Sequence, residues 1–285
     1  MAQKSILIVY FSATNVTKMY AEAISKQLIQ NDCRIKMINI TDYRSRQKQI
    51  SFEPYDGVIF GFPVFSDFAP SVINDWLPKL EGRDKDCAMF FTYGGRSVGY
   101  AHFHTLVLLE KASFNILLSA EFLGRHSFNV AGWDLAADRP NQDDFKVARD
   151  FGDQFLKTLN QPEAKSLELQ KPFGYDKVLA YQSQQKPAEQ PGLYHPVYID
   201  ENCAGCGICE KECPTQAIQA ENGLTNHQLC IVCMRCVFNC PDQALVAGKQ
   251  DKDHFLKFFQ NYRLTKEMVN RKQSKIITKP WHTVQ

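Results

Sequence analysis

The sequence predicts an α/β chain: an open parallel sheet with helices on both faces over the first 160 residues, then a small α+β module rich in cysteine. Three observations predict it. Apolar runs of strand length alternate with segments of helical period as far as Leu159. The loops after the strands carry hydroxyls, glycines, proline and aromatic rings. Eight of the ten cysteines then fall in two matched runs between residues 203 and 240. Alternation of strand and helix argues a parallel sheet and places a ligand at the carboxyl ends of its strands.

The first element is Ser5–Phe11, a continuous apolar run that reads as a strand buried on both faces. A hydroxyl-rich loop, Ser12–Thr17, leads into helical spacing over residues 18–29. Backbone N–H groups at such a helix start, with Ser and Thr beside them, suit an anion, although the same residues also cap helices for structural reasons alone. Residues 33–40 read as the second strand and Tyr55–Gly61 as the third, which runs into Gly61-Phe-Pro-Val-Phe65. A helix is expected over about residues 69–80. Residues 87–92 form the fourth strand and end in Tyr93-Gly-Gly-Arg-Ser-Val-Gly-Tyr100. A helix over about 101–112, a fifth strand over 115–123 and a helix over about 142–159 complete the domain. Three loops, 12–17, 62–68 and 92–100, therefore converge on one edge, where a flat aromatic ligand carrying a phosphate would fit. Gly94, Gly95 and Gly99 lack the G-x-G-x-x-G spacing of a dinucleotide fingerprint.

Composition bounds the rest. With 285 residues, 44% apolar and 22% charged, the chain suits two globular domains. No run of about 18 apolar residues marks a membrane span, and nothing points to nucleic acid. The N-terminus lacks the shape of a secretory leader. Cys33 and Cys87, at strand starts, read as buried thiols. The expected compartment is reducing: the cytoplasm, in an organism that spends time without oxygen.

The cysteines read Cys203-x-x-Cys206-x-x-Cys209-x-x-x-Cys213-Pro and Cys230-x-x-Cys233-x-x-Cys236-x-x-x-Cys240-Pro, the second run lying 27 residues beyond the first. Disulfides fit poorly, since nothing marks a secreted scaffold. Structural zinc pairs two Cys-x-x-Cys halves, whereas a third cysteine follows at once in each run here. The spacing instead wraps three thiolates around one face of a cubane and turns a fourth, followed by proline, toward a second cluster. This resembles the bacterial two-cluster ferredoxin. The resemblance implies one [4Fe–4S] cluster on Cys203, Cys206, Cys209 and Cys240, and another on Cys230, Cys233, Cys236 and Cys213.

The first domain resembles a flavodoxin. The whole chain resembles the flavodoxin–ferredoxin fusion family of anaerobes, including Gly124-Arg-His-Ser-Phe128 and Ala137-Asp-Arg-Pro140 before the last helix. That resemblance implies a five-stranded sheet in the order 2-1-3-4-5 and bound FMN. Ser12, Thr14, Asn15, Val16 and Thr17 stand where the family holds the phosphate. Pro63, Val64 and Phe65 lie on one side of the isoalloxazine, and Thr92, Tyr93, Gly94 and Gly95 on the other. Asn15 replaces the usual glycine, and asparagine tolerates the left-handed backbone such a turn needs. His126 reads as a hydrogen-bonded structural histidine with no assigned chemistry.

The expected layout is a flavodoxin-like FMN domain over 1–160, a partly ordered linker over 161–196, a two-cluster domain over 197–248 and a basic amphipathic extension over 249–285. The linker's aromatics predict partial packing on the first domain. In the extension, Phe255, Phe258, Phe259 and Tyr262 recur at helical spacing among nine basic and three acidic residues. That stripe is expected to pack on its own protein, with a membrane surface or an acidic partner as the alternative. The function read from all this is electron transfer between the clusters and FMN within one chain, with a redox protein as donor or acceptor. The alternatives are a flavin reductase that draws on an external ferredoxin to act on a small molecule, and a flavin-free scaffold or regulator.

Overall fold

The computed structural model describes residues 3–161, 166–184, 194–248 and 252–278. Strand β1 (Ser5–Tyr10) leads to helix α1 (Val16–Gln30) and β2 (Arg34–Asn39). A single turn, α2 (Tyr43–Arg46), precedes β3 (Gly57–Pro63), and another, α3 (Ser71–Asn74), precedes β4 (Lys85–Tyr93). Then come α4 (Ala101–Lys111), β5 (Phe114–Leu123), α5 (Gln142–Leu159) and α6 (Tyr175–Gln184). These five strands lie parallel in the order β2-β1-β3-β4-β5, the flavodoxin-like arrangement expected.

The core explains why β1 is apolar throughout. Ile6, Ile8 and Tyr10 face the layer that holds Tyr20, Ile24 and Leu28 of α1 with Phe151 and Phe155 of α5. Leu7 and Val9 face the opposite layer, with Leu106 and Leu109 of α4. Each such side chain contributes about 1.5–3 kcal/mol when fully buried. Helix α5 starts on a reciprocal cap, Asn141 with Asp144, and Arg139 pairs with that same carboxylate.

The helix expected over about 69–80 does not form as one piece. It is α3 followed by a 3₁₀ turn over Leu77–Lys79 that contains Pro78. A proline there would clash with the carbonyl four residues back, at Asn74, which is where α3 stops.

The cysteine-rich part is two small antiparallel ribbons. Strand β6 (Pro196–Tyr198) pairs with β9 (Leu245–Ala247), and β7 (Ile218–Gln219) pairs with β8 (Leu224–Thr225). Helices α7 (Ile208–Lys211) and α8 (Arg235–Asn239) pack on each other, α7 also against β7 and α8 against β9.

The tail corrects the sheet. It forms α9 (Lys252–Asn261), α10 (Lys266–Asn270) and a strand, β10 (Lys275–Ile277), which pairs antiparallel with β5. The sheet therefore has six strands rather than five, and its free edge is covered by the end of the same chain. Phe255 and Phe259 of α9 and Val269 of α10 bury themselves with Trp133, Ala131 and Met234. The expected packing of the aromatic stripe on its own protein is what forms, and the tail joins both domains in one core. Lys266 pairs with Asp134 at 2.7 Å and Lys275 with Glu121 at 3.2 Å. The linker packs too: Leu167 is buried, and Tyr175 closes on Phe103 and donates to or accepts from His104 at 2.8 Å.

Candidate functional site

The site is built at the carboxyl ends of β1, β3, β4 and β5. Ser12 is buried; its backbone N–H donates to Thr41 Oγ1 at 2.8 Å, and its hydroxyl accepts from the N–H of Lys18 at 3.1 Å. Asn15 takes a left-handed backbone (φ 66°, ψ −10°) and places no side-chain cap on α1. Asn15 therefore leaves the N–H groups of Val16 and Thr17 uncapped by its side chain, while Ser12 takes that of Lys18; such a helix start suits an anion. Thr17 and Thr92, from opposite loops, share a hydrogen bond of 2.8 Å across the floor.

A cavity of about 390 Å³, counting its open mouth, gathers ten of the twelve residues expected for FMN: Ser12, Thr14, Val16, Thr17, Pro63, Val64, Phe65, Thr92, Tyr93 and Gly94. Asn15 and Gly95 do not line it. Asn15 shapes the turn. Gly95, at φ +92°, is needed elsewhere: a Cβ there would come within 2.6 Å of Val269 in the tail. Arg125, His126 and Ser127 complete the wall. The sequence drew attention to the 124–128 stretch but gave His126 no role. The imidazole stacks on Trp133 at 4.3 Å, and burial, with Arg96 nearby, pushes its pKa down to about 4. Tyr93 is itself buried with Val98 and Leu123, so its ring supports the loop as well as facing the cavity.

A larger cavity, about 1,380 Å³ counting its mouth, shares Val64, Phe65, Tyr93, Gly94, His126 and Ser127 with the first. Its far walls come from the rest of the chain. They include Trp133, Tyr194, Phe255 and Phe258, and also Ile231 and Val232, which lie between Cys230 and Cys233.

The cysteines lie in two groups. Cys203, Cys206, Cys209 and the remote Cys240 line one small pocket with Tyr198 and Leu245. Cys213 lies within electrostatic reach of Cys230, Cys233 and Cys236. Burial pushes the Cys233 thiol up to about 12 and raises Cys236 as well. Those sulfurs ionise only when a cation compensates them, which iron would do. Among the described residues no three His, Cys, Asp or Glu side chains converge on a single ion. A cubane asks for something wider, one thiolate at each of four corners.

The backbone repeats with the sequence. Left-handed residues recur at the 27-residue offset: Gly205 and Val232, Gly207 and Met234, Gln216 and Gln243. So do N–H···S bonds, from Ala217 to Cys213 and from Ala244 to Cys240, both 3.2 Å. Glycine in one copy shows that the turn needs positive φ; Val232 and Met234 hold the same turn at a conformational cost.

The two domains meet at an arginine. Arg235, inside the second run, donates to the carbonyls of Ser12 and Ala13 at 3.1 and 3.2 Å and to the carbonyl of Glu212 at 3.2 Å. It also pairs with the Glu212 carboxylate at 3.0 Å. Arg46 reaches the other way and donates to the carbonyl of Pro214.

Residues 196–219 match the family described as 4Fe-4S binding domain. Ferredoxin-1 of Chlorobaculum tepidum is 40% identical over 60 residues, which is 18% of this chain and 97% of that protein. A ferredoxin of Chlorobaculum thiosulfatiphilum is 38% identical over 60 residues and is covered to 98%. The chain belongs to the ferredoxin family. A flavodoxin-like sheet stands ahead of that segment, and the two folds together support an electron-transfer role. Two solved structures are similar in fold to the first domain. An archaeal flavodoxin has TM-score 0.41 and 15% identity, over 55% of this chain and 99% of that one. Flavodoxin 2 of Bacillus cereus has TM-score 0.42 and 17% identity, over 55% and 99%. The fold assignment itself rests on this chain's own strand order. No described helix is long and apolar enough to cross a membrane.

Proposed function

We propose that the fusion carries electrons between two [4Fe–4S] clusters and FMN inside one molecule. The outer cluster is held by Cys203, Cys206, Cys209 and Cys240, and the inner one by Cys213, Cys230, Cys233 and Cys236. The observation that carries this reading is the shared wall: Ile231 and Val232, in the inner ligand loop, face the same cavity as Val64, Phe65, Tyr93 and Gly94 of the two flavin loops. Exposure gives the direction. Cys203 and Cys206 are exposed, whereas Cys213, Cys233 and Cys236 are buried, Cys233 against the first domain's core and the other two within their own module. A redox protein would dock at the exposed run. FMN supplies the change from one-electron to two-electron chemistry. Ser12, Thr14, Asn15, Val16 and Thr17 hold its phosphate with backbone N–H groups and hydroxyls, and Pro63–Phe65 and Thr92–Gly95 flank its ring.

The test is a stoichiometry and a crossover. Anaerobically purified protein should hold eight irons and one FMN per chain. Cys213→Ala should disrupt the cluster of Cys230, Cys233 and Cys236 and spare that of Cys203, Cys206 and Cys209, as read by Mössbauer or EPR spectra of the two sites. Loss of the Cys203 site instead would overturn the ligand sets, and an iron-replete protein that takes up no FMN would overturn the flavin half.

A further inference from the structure

The larger cavity is more than the two flavin loops require. They contribute Val64, Phe65, Tyr93 and Gly94; the remaining apolar wall is the 128–133 turn, Tyr194, the inner cluster loop and helix α9. The space the larger cavity offers a small molecule, about 560 Å³, lies within the roughly 300–1,000 Å³ typical of a small-molecule site, against about 30 Å³ in the first cavity. A carrier that hands electrons to another protein leaves its flavin edge open to that protein. Here α9 of the tail walls the cavity that the flavin loops open into, pinned by Phe255 and Phe259 in a buried core.

The lining also selects by charge. Its two formally charged side chains among the described residues, Arg96 and Asp67, pair with each other. His126 is held neutral by burial. Phe128 and Tyr194 stack at 4.9 Å and Tyr194 and Phe255 at 5.1 Å, which makes one wall a run of parallel rings. Flat conjugated molecules stack on such rings, and an ion would meet no countercharge.

We infer that this chamber is a substrate site for an uncharged, planar, conjugated carbonyl compound, so that the electrons end on a small molecule rather than on a protein. The inference rests on the flavin reading above. Saturating the double bond beside the carbonyl consumes two electrons and two protons. The electrons come singly from a reduced carrier protein of the ferredoxin class, and the protons come from water at the solvent-facing Ser66 rim.

The experiment titrates coumarin, and separately coumarin-3-carboxylate, into oxidised full-length protein of measured FMN content, by calorimetry. Coumarin should bind saturably at one per chain, and the carboxylate at least tenfold more weakly. Phe258→Arg, which sets a charge in the wall, should weaken coumarin at least tenfold without changing FMN or iron per chain. Phe258→Ala serves the same comparison should the arginine variant melt early. Absence of saturable coumarin binding overturns the inference, as does a carboxylate bound equally well or indifference to both Phe258 variants. A protein without FMN defeats the flavin reading separately, and the same titration then still judges the chamber.

Discussion

Arg235 shows what a residue can do that its place in a sequence does not show. In the run it is a basic residue between two cysteines. In the structure its fork spans two carbonyls of the phosphate loop and a carboxylate of its own domain. A lysine cannot make that set of contacts, since its ammonium is a point charge without the planar fork. Arg235→Lys should therefore loosen the 12–15 loop and weaken FMN by about 1.5–3 kcal/mol, the range of a hydrogen bond to a charged group. Quenching of FMN fluorescence on binding measures it, with iron content checked to be unchanged. An unaltered affinity would mean that the clamp only docks the domains. Glu212 carries a related lesson: it precedes Cys213 in the first run, yet its carboxylate lies against Arg235 in the second. The two charges offset each other beside the second cysteine run. His126 makes a pH prediction. Its pKa falls from an unfolded value near 6.5 to about 4, because burial disfavours the charged ring. Between those values the unfolded chain binds the extra proton, so stability falls as the pH drops through that window. The loss from pH 7 to pH 5 should be about 2 kcal/mol. Asparagine at position 126 can keep the cap on Phe128 N–H without titrating, so comparing melting temperatures of wild type and His126→Asn at the two pH values isolates the effect.

At the scale of elements, the strands were legible because a strand buried on both faces must be apolar where it is buried, as residues 6–10 of β1, 58–62 of β3 and 87–91 of β4 are. The iron–sulfur character of the cysteine-rich part was legible because the runs, with their third cysteine and following proline, resemble a ferredoxin's. Strand β10 was not. Three residues have too short a period to read, and the partner lies about 155 positions earlier in β5. Its burial is nonetheless two-sided: Ile277 enters one core layer while Ile276 packs on the other. Ile277→Asp should put an uncompensated carboxylate in that layer and cost about 2 kcal/mol or more. Calorimetric melting reads the result, and a change within about 0.5 kcal/mol would mean that β10 adds little to the sheet. The broken helix after β3 was legible in principle, since Pro78 was in view. The apolar period masked it. The far wall of the larger cavity could not be read at all, because it assembles residues from four separate stretches.

At the scale of the whole molecule, the tail decides how the fusion works. Flavodoxin-like and ferredoxin parts on a free linker would meet by diffusion, at an effective concentration set by linker length. Here α9 and α10 place Phe255, Phe259 and Val269 in one core with Trp133 of the first domain and Met234 of the second. Arg46 and Arg235 add hydrogen bonds in both directions across the same junction. On the proposed reading, a held geometry makes transfer from the inner cluster to FMN unimolecular. Flavin reduction by a one-electron donor should then show an internal phase whose rate does not change when protein concentration is raised tenfold. Cys203→Ala should slow entry through the exposed run while leaving direct photoreduction of the flavin intact. Phe259→Asp should unseat α9 and turn the internal phase slow or heterogeneous, with FMN and iron retained. Rapid-mixing absorbance at two concentrations decides it. A rate that scales with concentration would show that the electrons reach the flavin between molecules, and the junction would then serve to shape the chamber rather than to conduct.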